Sequence, residues 1–364
     1  MNVSFVNLAT DWGGGEGWTL RTAIGLSERG HAVSLVARHG SPFAERAIAS
    51  PLPTLTLPIS YDYRPATVFA IRRHLRETGC EVVVVHHNKD VRTGGVAAKL
   101  EKLPVVHRNG FPVVKNTWRH RITMRFTDRI LTNSTRIRDT YRALRWLTDK
   151  PMDVVANGID VSTIPARDPE LHASYGFPDD ALIALYAGRL TGVKRVDVLL
   201  HAVATLPDRS KWHLAIAGTG GQRETLETLA NELQLGERVR FLGYREDARA
   251  LAACADLGVL SSLDEGMPNA LMEAMAAGTP VAATPAGDVE YLLDGGNAGW
   301  ILPMGEVEPW VDLLRTLEKK PEQLGVMGDA GKARVLEHFT FERMIDGVEA
   351  SLRAACHSER SAAK

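Results

Sequence analysis

Short apolar runs recur along the chain, each followed by a segment with helical spacing. Val3–Leu8 leads into a glycine-rich turn and a helical pattern that reaches Arg29 and stops at Gly30. His31–Ala37, Thr54–Pro58, Glu81–Val85, Pro104–Val106 and Arg129–Thr132 repeat the apolar run, with helices predicted over 65–78, 90–101 and 116–127. Val82–Val85 is apolar at every position, as in a strand covered on both faces, and such strands belong to parallel sheets flanked by helices. The rhythm pauses over Val161–Asp180, where periodicity is weak and prolines gather, which marks a linker. It restarts with Leu182–Tyr186, His213–Ala217, Val239–Leu242, Leu257–Leu260, Val281–Ala283 and Trp300–Leu302. Phe341, Met344, Ile345, Val348 and Leu352 then fall on one face of a last amphipathic helix, expected over Thr340–Ala355. Alternating strands and helices predict an α/β protein of two doubly wound, Rossmann-like domains. Ligands of such domains bind at the carboxyl ends of the strands. If those ends face each other, the site is a cleft between the domains.

Length and composition agree. The chain has 364 residues, 45% hydrophobic and 24% charged, which excludes disordered, collagenous and disulfide-scaffold proteins. No window approaches 18 uninterrupted apolar residues, so no transmembrane helix is expected. The first charge is Asp11, and the start reads as a strand, not a signal peptide. Cys80, Cys254 and Cys356 suggest neither a zinc site nor a disulfide framework, and point to a reducing cytoplasm. The net charge of −1 hides an asymmetry: residues 1–160 hold 23 Lys+Arg against 14 Asp+Glu, leaving 20 against 30 in the rest. A basic half suggests an anionic partner.

Three segments carry candidate chemistry. Gly13-Gly14-Gly15-Glu16-Gly17 follows a strand and opens a helix, where backbone N–H groups can approach an anion or simply make a tight turn. Trp18 stands where the dinucleotide fingerprint needs its third glycine, which disfavours a nicotinamide enzyme. In Gly188-Arg189-Leu-Thr-Gly-Val-Lys194-Arg195, two cations precede a helix start, where the dipole disfavours them unless they serve an anion such as a diphosphate. In Glu265-Gly266-Met267-Pro268-Asn269-Ala270-Leu-Met-Glu273, the second carboxylate sits in a helix rich in Ala, Leu and Met. A carboxylate there needs partners. Sugar hydroxyls and structural caps satisfy that need equally well on chemistry alone. His86 and His87 read as cleft-lining polar groups that point apart from a strand end, with a metal site not expected.

Glu265-Gly-Met-Pro-Asn…Glu273-Ala-Met-Ala-Ala-Gly-Thr-Pro-Val resembles the E-x7-E motif of the family-four retaining glycosyltransferases of GT-B fold. The other pieces follow in order: Gly13–Glu16 resembles the Gly-Gly-x-Glu loop, Val106-His107 the strand ending in an active-site histidine, and Thr132-Asn-Ser134 a strand ending in serine. Asn157-Gly-Ile-Asp160 resembles the Asn-Gly-x-Asp before the linker, and Gly188-Arg189…Lys194 with Gly218-Thr-Gly220 the phosphate loop and Gly-x-Gly turn. Arg195 stands where many members carry glycine, and His107-Arg-Asn-Gly is not the commonest sequence after the histidine.

The resemblance implies a GT-B enzyme with two Rossmann-like domains facing across a cleft: an acceptor-binding domain over 1–162, a nucleotide-sugar domain over 163–339, and a helix over 340–356 crossing back. It implies that Glu273 binds the donor ribose, that Glu265 meets the donor sugar, and that Arg189 and Lys194 grip the diphosphate. Gly188, Gly218 and the backbone of Gly266, Met267, Pro268, Asn269 and Ala270 reach the donor. Gly14 and Gly15 close over it, and His107 lies near the transferred sugar. The expected activity is retaining transfer of a sugar from a nucleotide sugar to a glycan or lipid-linked acceptor, as in lipopolysaccharide or other cell-envelope synthesis. No cofactor is expected, and no metal, since no Asp-x-Asp is present and the cations can stabilise the leaving diphosphate. Same-fold alternatives are a nucleotide-sugar epimerase, a phosphorylase or a non-catalytic sugar-nucleotide-binding partner.

The acceptor side has its own signal. Trp118, Ile122 and Phe126 form a stripe flanked by Lys115, Arg119, Arg121 and Arg125, and Arg136, Arg138, Arg142, Arg145 and Trp146 extend it. Such a face can lie on anionic lipid, or pack its apolar stripe on the sheet. The expectation is a cytoplasmic protein, peripheral on the inner face of the membrane. No nucleic-acid module is recognised.

Overall fold

The computed structural model describes residues 1–58, 64–110, 116–168 and 175–362. Two parallel-sheet units account for them. The first takes in Met1–Asn157 and Glu342–Lys364, and the second Gly158–Phe341. The division therefore falls at 157/158 and 341/342, against the 162/163 and 339/340 read from the sequence.

The first unit has β1 (Asn2–Asn7), β2 (Ala32–Arg38), β3 (Thr54–Leu57), β4 (Val82–Val85), β5 (Val105–Asn109), β6 (Arg129–Thr132) and β7 (Met152–Val154) in the order 3-2-1-4-5-6-7. All pairings are parallel. Val82–Val85 is buried throughout, in register with Val3–Val6 on one side, and Val83–Val85 pairs with Val105–His107 on the other. β5 runs through His107 to Asn109, three residues beyond its expected end. β7 was not anticipated. It is a half-buried edge strand of Met-Asp-Val, too short and too polar to show an apolar run.

The second unit has β8 (Leu182–Ala187), β9 (Trp212–Ala217), β10 (Val239–Gly243), β11 (Leu257–Leu260), β12 (Val281–Ala283) and β13 (Trp300–Ile301), ordered 10-9-8-11-12-13 and again parallel. The strand order of each sheet reverses once, between β1 and β4 and between β8 and β11. A crevice opens at the carboxyl ends of such strands, and both glycine-rich turns singled out in the sequence lie there.

The last helix, Phe341–Ala362, belongs to the first unit. Arg29 binds Asp346 at 2.6 Å, His31 meets Glu349 at 3.3 Å, and the Ser351 hydroxyl donates to Asp153 at 2.6 Å. Gly347 lies so close to Val155 that a Cβ would fall 2.8 Å from its Cγ1.

The basic helix spans Trp118–Met124, capped by the Thr117 hydroxyl on the His120 N–H. Its expected stripe divides. Phe126 packs on the core cluster around Val105, while Trp118 is 67% and Ile122 45% exposed. Lys115 lies outside the described residues.

Candidate functional site

In the second unit two loops cross backbone to backbone. The Gly188 N–H donates to Ala217 O at 2.9 Å, and the Leu190 N–H to Thr219 O at 2.9 Å. At Gly218, with φ +149°, a Cβ would sit 1.9 Å from Gly188 O; at Gly220, with φ +157°, one would sit 2.2 Å from Leu190 O. Glycine is needed at both positions because another main chain occupies the side-chain space.

The first of these loops then turns through Gly192–Lys194 into Arg195, whose φ of +49° and ψ of 41° are left-handed. This is the position where glycine is common in the family the sequence resembles, and the backbone shows why. The Ser261 hydroxyl reaches the carbonyls of Lys194 at 3.0 Å and Arg195 at 2.8 Å, and Asp197 pairs with the Arg195 guanidinium at 2.9 Å, so the unfavourable turn is held from two sides. The Leu263 N–H to Val193 O bond, 2.8 Å, stitches the same loop to the segment after β11.

That segment carries the two carboxylates. Glu265 pairs with Lys194 and accepts the Ser262 hydroxyl at 2.7 Å, both through Oε1. Tyr186, whose hydroxyl donates to Arg189 O at 2.9 Å, feels both the Glu265 charge and Arg189, and burial foremost pushes its phenol up. Arg189 itself is exposed and makes no ion pair among the described residues. Asp288 N–H holds Gly266 O at 3.2 Å, and Gly287, at φ +62°, packs its Cα against the Glu265 and Gly266 carbonyls. The helix Asn269–Ala277 begins at Pro268, which offers its first N–H groups no side-chain cap. Those donors are suited to an anion. Glu273, in the same helix, binds Arg249 at 3.0 Å, and Arg249 also donates to the Thr163 hydroxyl at 2.6 Å. Arg249 escaped the sequence reading: no periodicity or motif ties it to Glu273, and the pairing arises only where two helices pack.

In the first unit the candidate residues are buried and mutually engaged. His107, in β5, is 3% exposed, and burial depresses its pKa to about 3, with His120 adding to the effect. Arg108 beside it is equally buried, stacks over Trp18 at 4.6 Å, and has its pKa lowered to about 10 by burial. The sequence marked Trp18 only as a departure from a glycine fingerprint and Arg108 only as an uncommon residue after His107, and it tied neither to the other.

Gly14 and Gly15 open the helix Gly14–Glu28, and a Cβ on Gly15 would lie 2.2 Å from His86 Nε2. His86 and His87 do not point apart as expected. Their rings meet edge to face with centroids 4.5 Å apart. β4 ends at Val85, so strand alternation no longer governs the pair. Asp90 takes the N–H groups of Leu8 at 3.0 Å, His86 at 3.3 Å and His87 at 2.7 Å, curling the backbone there. Burial pushes the Asp90 carboxyl up to about 6 despite those bonds.

His87 Nε2 bonds Glu16 at 2.9 Å. Burial alone would raise Glu16 and lower His87, but the bond and the opposite charge reverse both shifts. Ligand atoms of Glu16, His86 and His87 lie within 4.8 Å of one another, a grouping able to hold a metal ion. The Asp90 backbone N–H caps the His87 ring, so Nε2 carries the hydrogen shared with Glu16, and a metal would have to displace that bond. Beside the pair lies a cavity of about 330 Å³, lined by Leu8–Asp11, Glu16, His87, Lys89 and Asp90.

Residues 12–163 match the family model Glycosyltransferase Family 4, and residues 167–334 match Glycosyl transferases group 1. The lipopolysaccharide core biosynthesis glycosyltransferase LpsE of Rhizobium meliloti is 28% identical over 61% of this chain and 63% of its own length. A D-inositol 3-phosphate glycosyltransferase of Saccharomonospora viridis is 28% identical over 65% of this chain and 58% of its own. The chain spans between about half and under two thirds of the length of the curated relatives it matches. Among solved structures, Anabaena HepE in complex with UDP superposes with a TM-score of 0.85 over 97% of this chain and 100% of HepE, at 19% identity.

Proposed function

We propose that this chain, which belongs to the GT-B glycosyltransferases through both of its halves, moves a sugar from a nucleoside-diphosphate sugar to an acceptor in cell-envelope synthesis. The observation that carries the proposal is the arrangement in the second unit. Crossed glycine loops, a free-standing Arg189, the Lys194–Glu265 pair and the N-terminus of the helix Asn269–Ala277 gather around the carboxyl ends of β8 and β11. A helix N-terminus and cations suit a diphosphate, and Glu273 suits the ribose hydroxyls. The reading assigns the donor to Gly188, Arg189, Lys194, Gly218, the 265–270 loop and Glu273.

Transfer proceeds with retention and without a metal. Charge develops on the departing diphosphate, and Arg189, Lys194 and the helix N-terminus are the groups that stabilise it. Calorimetry against UDP, GDP and ADP, followed by hydrolysis assays with the matching nucleotide sugars, tests the donor assignment. Binding of none of the three overturns it. Turnover should survive EDTA; activity lost to chelator and restored by magnesium or manganese would sink the metal-free route. The anomeric configuration of the product, read by proton NMR, decides retention.

The acceptor is lipid-linked, and the protein docks on the anionic cytoplasmic face of a membrane. No helix among the described residues is long and apolar enough to cross one. The exposed Trp118 and Ile122, with Arg119, Arg121 and Arg125 around them, present an interfacial face, and each basic residue contributes about 1 kcal/mol near an anionic surface. Vesicles containing phosphatidylglycerol should sediment the protein in low salt and neutral vesicles should not. Changing Arg119, Arg121 and Arg125 to Glu should abolish the effect with nucleotide binding intact. Equal recovery from both vesicle types removes the membrane from the proposal.

A further inference from the structure

The two carboxylates of the second unit share a pattern. In each, one oxygen is held by a cation and the other is not. Glu265 Oε1 takes Lys194 and Ser262; Glu273 Oε1 takes Arg249. Neither Oε2 has a hydrogen bond among the described residues. Glu273 is half-buried, with its side chain 20% exposed, and it rises from a helix of Ala, Leu and Met in which Asn269 is the one other polar residue. A glutamate on such a helix has three rotatable bonds, and ordering it costs side-chain entropy. Arg249 removes that freedom. Its Nε donates to Glu273 and its Nη1 to the Thr163 hydroxyl, so the planar guanidinium is itself pinned at both ends of its fork.

From this we infer that Arg249 is the positioning residue of the ribose contact: it clamps Glu273 Oε1 and leaves Oε2 as a single acceptor for a ribose hydroxyl. The inference rests on the donor reading above, in which Glu273 meets the ribose. A pre-oriented charged acceptor discriminates sharply against a ligand lacking the hydroxyl, because the desolvated oxygen is then left without a partner. Lys194 does the equivalent for Glu265, but it stands at the end of the diphosphate loop. Arg249 comes from a different helix, Ala248–Cys254, and has no part in the phosphate loop. Its effect should therefore be confined to recognition of the ribose.

The test compares binding of ribo-, 2′-deoxy- and 3′-deoxynucleoside diphosphates by calorimetry, with thermal melting in parallel. For whichever base binds, the wild type should prefer the ribonucleotide over at least one deoxy form by about tenfold or more. R249M should bring that ratio close to one, and R249K should restore part of it. T163V should lower it less than R249M does. A structural ion pair predicts something else: R249M melts earlier, yet the ribo-to-deoxy ratio is unchanged, and that outcome overturns the inference. E273Q separates the two layers of argument. If E273Q leaves the ratio untouched, Glu273 is not the ribose ligand and the donor reading fails with it. If E273Q abolishes the ratio while R249M preserves it, the donor reading stands and the role given to Arg249 falls.

Discussion

The two units place polar groups at the carboxyl ends of parallel strands in opposite ways. In the second unit they are half-exposed and paired one to one, as Lys194 with Glu265 and Arg249 with Glu273, and Arg189 stands in solvent. In the first they are buried. His86, Asp90, His107 and Arg108 are at most 5% exposed and are held by backbone N–H groups, aromatic faces and one another. A ligand phosphate can take Lys194 from Glu265 by replacing one charge-assisted contact with another, and Arg189 has no ion pair to give up. It cannot do the same with a desolvated network, where removing one partner leaves the other costly. The phosphate loop of the second unit can be re-paired by an anion, whereas the buried polar groups of the first are fixed in place.

The largest expected difference is in acid. Folding holds His107 at about 3 against an ordinary value near 6.5. Below pH 6.5 the unfolded chain takes up a proton that the folded chain refuses until about pH 3. Stability from this group is therefore complete above pH 6.5 and is lost as pH falls, by at most about 4–5 kcal/mol near pH 3. Asp90 acts in the other direction. Its folded value of about 6 lies above the ordinary 3.8, so it returns part of the loss as pH drops from 6 to 4. Urea unfolding of wild type and His107→Asn between pH 7 and 4.5 checks the balance. The variant should be less acid-sensitive, and equal slopes would remove His107 as the cause.

Next in size is the loop crossing of the second unit. Gly218→Ala places a methyl group 1.9 Å from a carbonyl oxygen, so the loops must part, at about 2–4 kcal/mol and with loss of nucleotide binding. A melting temperature within 1 °C of wild type would show that the crossing is not rigid. The smallest effect on stability is the sharpest contrast. Arg189→Ala should change unfolding free energy by less than about 0.5 kcal/mol, because the side chain is exposed and carries no ion pair. Turnover should nevertheless fall about a hundredfold if the side chain meets the leaving group. Intact turnover would return Arg189 to the solvated surface.

Much of this was legible before any coordinates. Runs such as Val82–Val85 announce a doubly covered strand because every residue on them must be apolar. Gly218 and Gly220 stood out as a Gly-x-Gly turn, but that another main chain fills their side-chain space is seen only in the fold. What was not legible depends on packing between distant segments. Met152–Val154 gains its place as a strand only from β6 beside it. Arg249 finds Glu273 only through the contact of two helices. His86 and His87 were projected as a strand would project them, but Asp90, by gathering three N–H groups, had already bent the chain away from strand geometry.

The last helix bears on how the molecule comes into being. Residues 158–341 form a continuous unit, whereas the first unit needs Glu342 and beyond to cover Val155 and to pair Arg29 with Asp346. On the ribosome, the segment made first must wait for the segment made last. The later unit can therefore complete its contacts before the earlier one does. Until that helix emerges, β7 and the flank of Val155 stand open, and a nascent chain halted before residue 342 would expose the edge of a seven-stranded sheet to its neighbours.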